Sequence, residues 1–175
     1  MKRRFLLVCA VLLAGCSSAK LVPDDYTGAT AVVRDSSVNP AGSGQASAGH
    51  SQYFVLAAVD GKEVPNSFSQ TFAGAEGHTN FQAHERKVPV RPLKVTLRAV
   101  AYFPNGLKGK GGASGLDEIT TAATQKTVSF VPEAGETYVV RGQADERTGS
   151  AWIETSGGQR VTDVATIRQP GAAAQ

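Results

Sequence analysis

Between residues 93 and 103 the chain reads Leu-Lys-Val-Thr-Leu-Arg-Ala-Val-Ala-Tyr-Phe. Val95, Leu97, Ala99, Ala101 and Phe103 fall on one face of an extended strand. Thr96, Arg98, Val100 and Tyr102 fall on the other. A period of two cannot be served by a helix, whose apolar stripe repeats every three to four residues. The same signature recurs in shorter form. Residues 29–34 (ATAVVR) form a first strand candidate, and residues 52–59 (QYFVLAAV) a near-continuous apolar run. Asp60-Gly61 and a return strand at 62–64 follow, the mark of a tight hairpin. Residues 88–103, 119–131, 137–142, 151–155 and 159–162 complete the set. Pro89 and Pro92 limit the start of the long run to an edge or a bend. Residues 67–72 allow one short helical turn. Nineteen Gly and eight Pro argue against a helical bundle. No alternation of strands and long helices is visible, so a parallel sheet is not expected. The fold class is therefore all-β: an antiparallel β-sandwich of about seven or eight strands, with Phe54, Leu56, Val95, Leu97, Phe130, Tyr138, Val140 and Trp152 expected in its core.

The N-terminus carries a different message. Met1-Lys2-Arg3-Arg4 is basic, Phe5 to Leu13 is apolar, and Ala14-Gly15 are small. These are the three parts of a secretory signal peptide, and the apolar run falls well short of the roughly 20 residues that span a bilayer. Leu13-Ala14-Gly15-Cys16 resembles the lipobox of bacterial lipoproteins. That resemblance implies cleavage before Cys16, a diacylglycerol on its thiol and an acyl chain such as palmitate on its amine. The domain layout expected is a signal peptide over 1–15, a lipidated N-terminus and tether over 16–27, the sandwich over 28–168 and a tail over 169–175. The eleven residues from Ser17 to Thr27 reach at most about 40 Å if extended. Ser17, where lipoproteins of the enteric type use Asp for inner-membrane retention, points to the outer membrane, facing the periplasm.

Processing changes the charge and thiol inventory. Cys9 leaves with the signal peptide, so Cys16 is the only sulfur nucleophile and it is consumed as a thioether. Removing Lys2, Arg3 and Arg4 from the 18 basic residues leaves 15, against 15 acidic ones. The formal charge of +3 thus resides in the signal peptide, and nucleic-acid binding is not expected.

A second resemblance concerns the C-terminal half. Phe130-Val131-Pro132-Glu133-Ala134-Gly135-Glu136-Thr137-Tyr138-Val139-Val140, with Trp152-Ile153-Glu154 beyond, is similar to the closing strands of many small bacterial lipoproteins. The Val59-Asp60-Gly61-Lys62 hairpin is similar to one in transthyretin-like and PEGA-type domains. These likenesses imply a transthyretin-like or immunoglobulin-like sandwich and bring no catalytic residue. Pro92-Leu93 departs from the Pro-Gly common in those domains.

Chemistry-bearing residues are few. His50, His78 and His84 are the only histidines. His78 and His84, with Glu76 and Glu85, lie six apart, which matches neither a helix face nor a compact zinc spacing, so no metal site is expected. Residues 106–112 (GLKGKGG) are followed by Ala113, so the phosphate-loop pattern fails; Lys108 and Lys110 read as solvated loop residues. Ser114-Gly115 has no nucleophile-elbow context. Asp60, Glu133 and Asp145 flank turns. Tyr53, Tyr102 and Tyr138 sit in strand patterns, as packing residues. No cofactor and no catalytic residue is expected, and the chain reads as a non-enzymatic envelope lipoprotein. Its partners would be the membrane through Cys16 and a protein met through surface loops such as 106–115 or a sheet edge. An adaptor in a secretion or envelope-assembly system is the alternative, with a small-ligand binder or enzyme behind it.

Overall fold

The structure, a computed structural model, describes residues 20–40, 51–72, 81–103, 121–145 and 147–168. It is an all-β sandwich of two sheets. In chain order the elements are β1 (Thr30–Arg34), β2 (Ser36–Val38), β3 (Ser51–Val59), β4 (Lys62–Glu63), α1 (Ser67–Phe72), β5 (Glu85–Pro89), β6 (Leu93–Tyr102), β7 (Thr121–Phe130), β8 (Thr137–Ala144), β9 (Thr148–Thr155) and β10 (Ala165–Arg168). The first sheet runs β10-β9-β8-β1-β5. The second runs β2-β3-β6-β7, with β4 beside β3.

The alternation in β6 does what its period requires. Val95, Leu97, Ala99, Ala101 and Phe103 point into the sandwich. There they meet Phe54 and Leu56 of β3, Val128 and Phe130 of β7, and Val33, Val88, Tyr138, Val140 and Ile153 of the first sheet. Phe130 and Tyr138 touch edge to face at 5.0 Å across the layers. Gly142 is required where it stands, because a Cβ there would collide with the Ser150 carbonyl and the Phe54 ring. The β3–β4 hairpin turns on Asp60 (φ 49°) and Gly61 (φ 77°), two successive left-handed residues. Asp60 is held there by the Lys94 N–H at 2.9 Å and by Arg91 at 2.6 Å.

The chain departs from the sequence expectation in four places. There are ten strands among the described residues, because one expected run subdivides, β2 is added beyond the expected runs and one run shifts. The run expected over 88–103 breaks at Val90–Arg91 into β5 and β6, one in each sheet. The 159–162 segment contributes a single bridge, Glu154 to Arg160, and the closing strand is β10 instead. The pairing is not wholly antiparallel: β1 lies parallel to β8, with Val33 beside Tyr138. The long excursion between them through the second sheet supplies the crossover that parallel neighbours need. Finally, Trp152 is not in the core. Ala151 and Ile153 on either side of it point inward, so the two-residue period turns the indole to the outer face.

The two outer faces are unlike each other. On the second sheet, Tyr53, Val55 and Val100 point away from the core and are nonetheless fully buried. The rings of Phe68 from α1 and Phe81 lie 5.5 and 5.7 Å from that of Tyr53 and cover it. On the first sheet the outward residues of β8 and β9 remain half-buried or exposed.

Candidate functional site

Two polar clusters stand out, one buried between the sheets and one on an outer face. The first forms where β1 leaves off and β2 begins. The chain changes sheets at Asp35, a residue with no exposed surface. Ser36 pairs with Phe54, so continuing that register by two residues would set Arg34 opposite Leu56. Arg34 has already crossed to the first sheet, where it pairs with Glu85. Leu56 therefore lacks a backbone neighbour on that side, and two side chains take its place. Its N–H donates to Asp35 Oδ1 at 3.0 Å, and its carbonyl accepts from Arg86 Nη1 at 3.3 Å.

Asp35 and Arg86 also bind each other through two parallel bonds of 2.9 and 2.7 Å, Nη1 to Oδ1 and Nη2 to Oδ2. Their side chains are 0% and 7% exposed. Asp35 Oδ2 further accepts the Ser67 N–H at 2.8 Å, satisfying an otherwise orphaned donor at the start of α1. Asn66 caps the same helix, taking the Ser69 N–H at 3.0 Å. Ser67 Oγ accepts the His84 N–H, and the Asp35 N–H donates to the His84 carbonyl. Burial and the neighbouring Arg86 charge hold the His84 imidazole below its ordinary range, with Asp35 opposing them weakly. Both carboxylate oxygens carry two donors, and neither is left for a substrate. The cluster joins two sheets and a helix.

The second cluster lies on the outer face of the first sheet. Register sets Arg141 of β8 beside Trp152 of β9, and Val139 beside Glu154. Glu154 links two donors: Oε1 accepts from Arg141 Nε at 3.0 Å, and Oε2 accepts from Trp152 Nε1 at 3.2 Å. The Arg160 guanidinium lies 4.5 Å from the centre of the Trp152 ring, on its face. Arg160 reaches this position because the 156–159 turn folds back on β9, with Glu154 bridged to Arg160. Val32 and the Arg34–Glu85 pair continue the face across β1 and β5. The result is an aromatic platform between two arginines, fixed by one glutamate. It offers charged donors and a flat apolar ring. It contains no nucleophile beside a base.

Among the sequence-stated candidates, Cys16, His50, His78, Glu76, Lys108, Lys110 and Ser114 lie outside the described residues, as does the 106–115 loop. His84 and Glu85 are described and do not converge: His84 adjoins Ser67, and Glu85 pairs with Arg34. Among the described residues no group of three His, Cys, Asp or Glu side chains could hold a metal, and no helix is long and apolar enough to cross a membrane. Asp60 is confirmed as a turn residue; the Lys94 N–H and Arg91 hold its carboxyl below the usual range. Sequence reasoning missed Asp35–Arg86, whose only signal is an acidic residue directly after the apolar-rich ATAVVR run. It missed the role of Trp152 by assigning the indole to the core.

Comparison of the chain with family models, with characterised proteins and with solved structures finds no match.

Proposed function

We propose that the protein is a lipid-anchored envelope module whose work is recognition, with the outer face of the first sheet as its docking surface for a protein partner. The observation that carries this reading is the contrast between the outer faces. One is covered around Tyr53 by α1 and Phe81, while the other displays Trp152, Arg141 and Arg160 in a fixed arrangement. Trp and Arg are the side chains that most often dominate protein interfaces. The anchor half of the reading rests on the lipobox-like Leu13-Ala14-Gly15-Cys16 and places the module on the outer membrane, facing the periplasm. Absence of a nucleophile–base pair in the platform favours a binding role over a catalytic one.

Two measurements test it. Intact mass of the chain isolated from membranes is expected to show a start at Cys16 carrying acyl groups; an unmodified Cys16 or another start overturns the anchor. Purification from detergent extracts is expected to recover a stoichiometric protein partner, and Arg141→Glu to reduce that recovery at least tenfold. Equal recovery with both chains overturns the docking surface.

A further inference from the structure

The residues just after Cys16 do not stand free of the domain. Leu21 packs against the core, Lys20 pairs with Asp24 at 2.7 Å, and the Tyr26 N–H donates to the Pro23 carbonyl at 3.1 Å. This segment forms one wall of a groove of about 470 Å³, whose other wall includes Pro65, His84 and Lys87. The groove starts at one end of the sandwich and runs along β5, from Lys87 beside Val32 to His84 just past the Arg34–Glu85 pair. It includes Thr30, whose carbonyl accepts the Gly135 N–H, next to the start of β8. From Thr137 to Ala144, β8 then runs away from that end over about 24 Å, at roughly 3.4 Å per residue. Asp145, which accepts the Arg147 and Thr148 N–H groups, lies at the opposite end.

Covalent length now limits where the domain can be. Four peptide units separate Cys16 from Lys20. Fully extended they span at most about 14 Å. An acylated Cys16 sits at the edge of the hydrocarbon, and the headgroup layer above it takes up roughly 5–7 Å of that reach. A domain whose packing begins at Leu21 cannot clear the surface by its own length. We infer that the groove end of the sandwich rests on the bilayer to which Cys16 is anchored, with the phospholipid headgroup layer as the occupant of the groove, and that the strands stand away from the membrane. This inference rests on the anchored reading given above.

The lining suits that occupant. Tyr26 is 39% exposed on the rim, and Tyr is a residue that favours the membrane–water interface. Leu21, Pro23 and Pro65 give apolar surface, and Lys87 gives a flexible cation that reaches headgroup phosphates, while Lys20 is paired with Asp24. The orientation also places the docking face. Arg141 lies four residues beyond Thr137, so the Trp152 platform stands about 14 Å further along β8 than the end of the sandwich where the groove starts.

The acylated chain has no other thiol, so one engineered cysteine accepts a fluorophore uniquely. Pro23→Cys and Lys87→Cys report the groove end, and Arg147→Cys the opposite end. Each labelled lipoprotein is reconstituted into phosphatidylcholine–phosphatidylethanolamine vesicles containing headgroup-nitroxide lipid, and flotation and intact mass are recorded beside the quenching. The expected result is at least threefold stronger quenching at positions 23 and 87 than at 147. Inserting about 15 Gly/Ser residues after Ser18 is expected to reduce that contrast at least twofold. Equal quenching at the three positions in an acylated, floating chain overturns the orientation and leaves the anchor standing. A chain without acyl groups that fails to float overturns the anchored reading and the orientation with it. An unchanged contrast after the insertion overturns the short link as its cause.

Discussion

Arg86 and Arg141 belong to the same sheet and each meets a carboxylate, yet they do different work. Arg86 points inward from β5 and is enclosed with Asp35, the two side chains substituting for a missing strand neighbour of Leu56. Arg141 points outward from β8 and remains 48% exposed while Glu154 fixes its Nε. A charge removed from water must be paired, and both Asp35 oxygens are saturated, although Arg86 Nε is buried without a hydrogen-bond partner. An exposed pair is screened and contributes little to stability, but its remaining donors are free to meet a partner. Burial, rather than residue type, divides the structural pair from the exposed one in this molecule.

The sharpest way to break the contrast is to remove one buried partner. Asp35→Ala or Arg86→Ala is expected to cost about 3–5 kcal/mol, because each leaves a charge and the Leu56 backbone group unmatched. Denaturant unfolding checks this, and the double replacement Asp35→Leu/Arg86→Met is expected to cost less than the sum of the single changes. Next in size is the core: Leu97→Ala is expected to cost about 2–5 kcal/mol. Thr96→Ala, on the outward face with one hydrogen bond to Thr127, is expected to cost about 1 kcal/mol or less. Equal losses at the two neighbours would contradict the two-residue alternation. On the open face Trp152→Ala is expected to cost only about 1 kcal/mol, since the ring is half-buried and its contacts are one arginine stack and one hydrogen bond.

The smallest effect concerns pH. The folded state holds His84 below its ordinary 6.5, so unfolding takes up a proton when the pH lies between the folded and the ordinary values. The associated stability is complete above about pH 6.5 and is lost as the pH falls through that window. His84→Asn is expected to flatten the decline in melting temperature between pH 7.5 and 5.5. An unchanged slope would contradict the burial of the neutral ring.

The part of the fold that could be read from the residues is the part that period governs. The β6 alternation, the Asp60-Gly61 turn and the inward set from Phe54 to Val140 follow from local pattern and turn chemistry. What could not be read depends on contacts between distant segments. The sheet change at Asp35 leaves β2 only three residues long, and its stabilising partner Arg86 lies 51 residues away. The parallel β1–β8 pairing joins residues a hundred apart. Alternation in Ala151–Thr155 alone leaves open which parity faces inward, and the buried Ala151 and Ile153 turn Trp152 outward. The platform itself was hidden for the same reason: Arg141, Glu154 and Arg160 acquire a common role only through the β8–β9 register and the returning 156–159 turn.

The central claim is that the outer face of the first sheet meets a partner and the outer face of the second does not. Site-specific photo-crosslinking in intact cells tests it most directly, with p-benzoylphenylalanine in place of Arg141 on the first face and of Thr127 on the second. A discrete adduct of one mass from position 141, absent from position 127, is the expected result. No adduct from 141, or the same adducts from both positions, would contradict the claim.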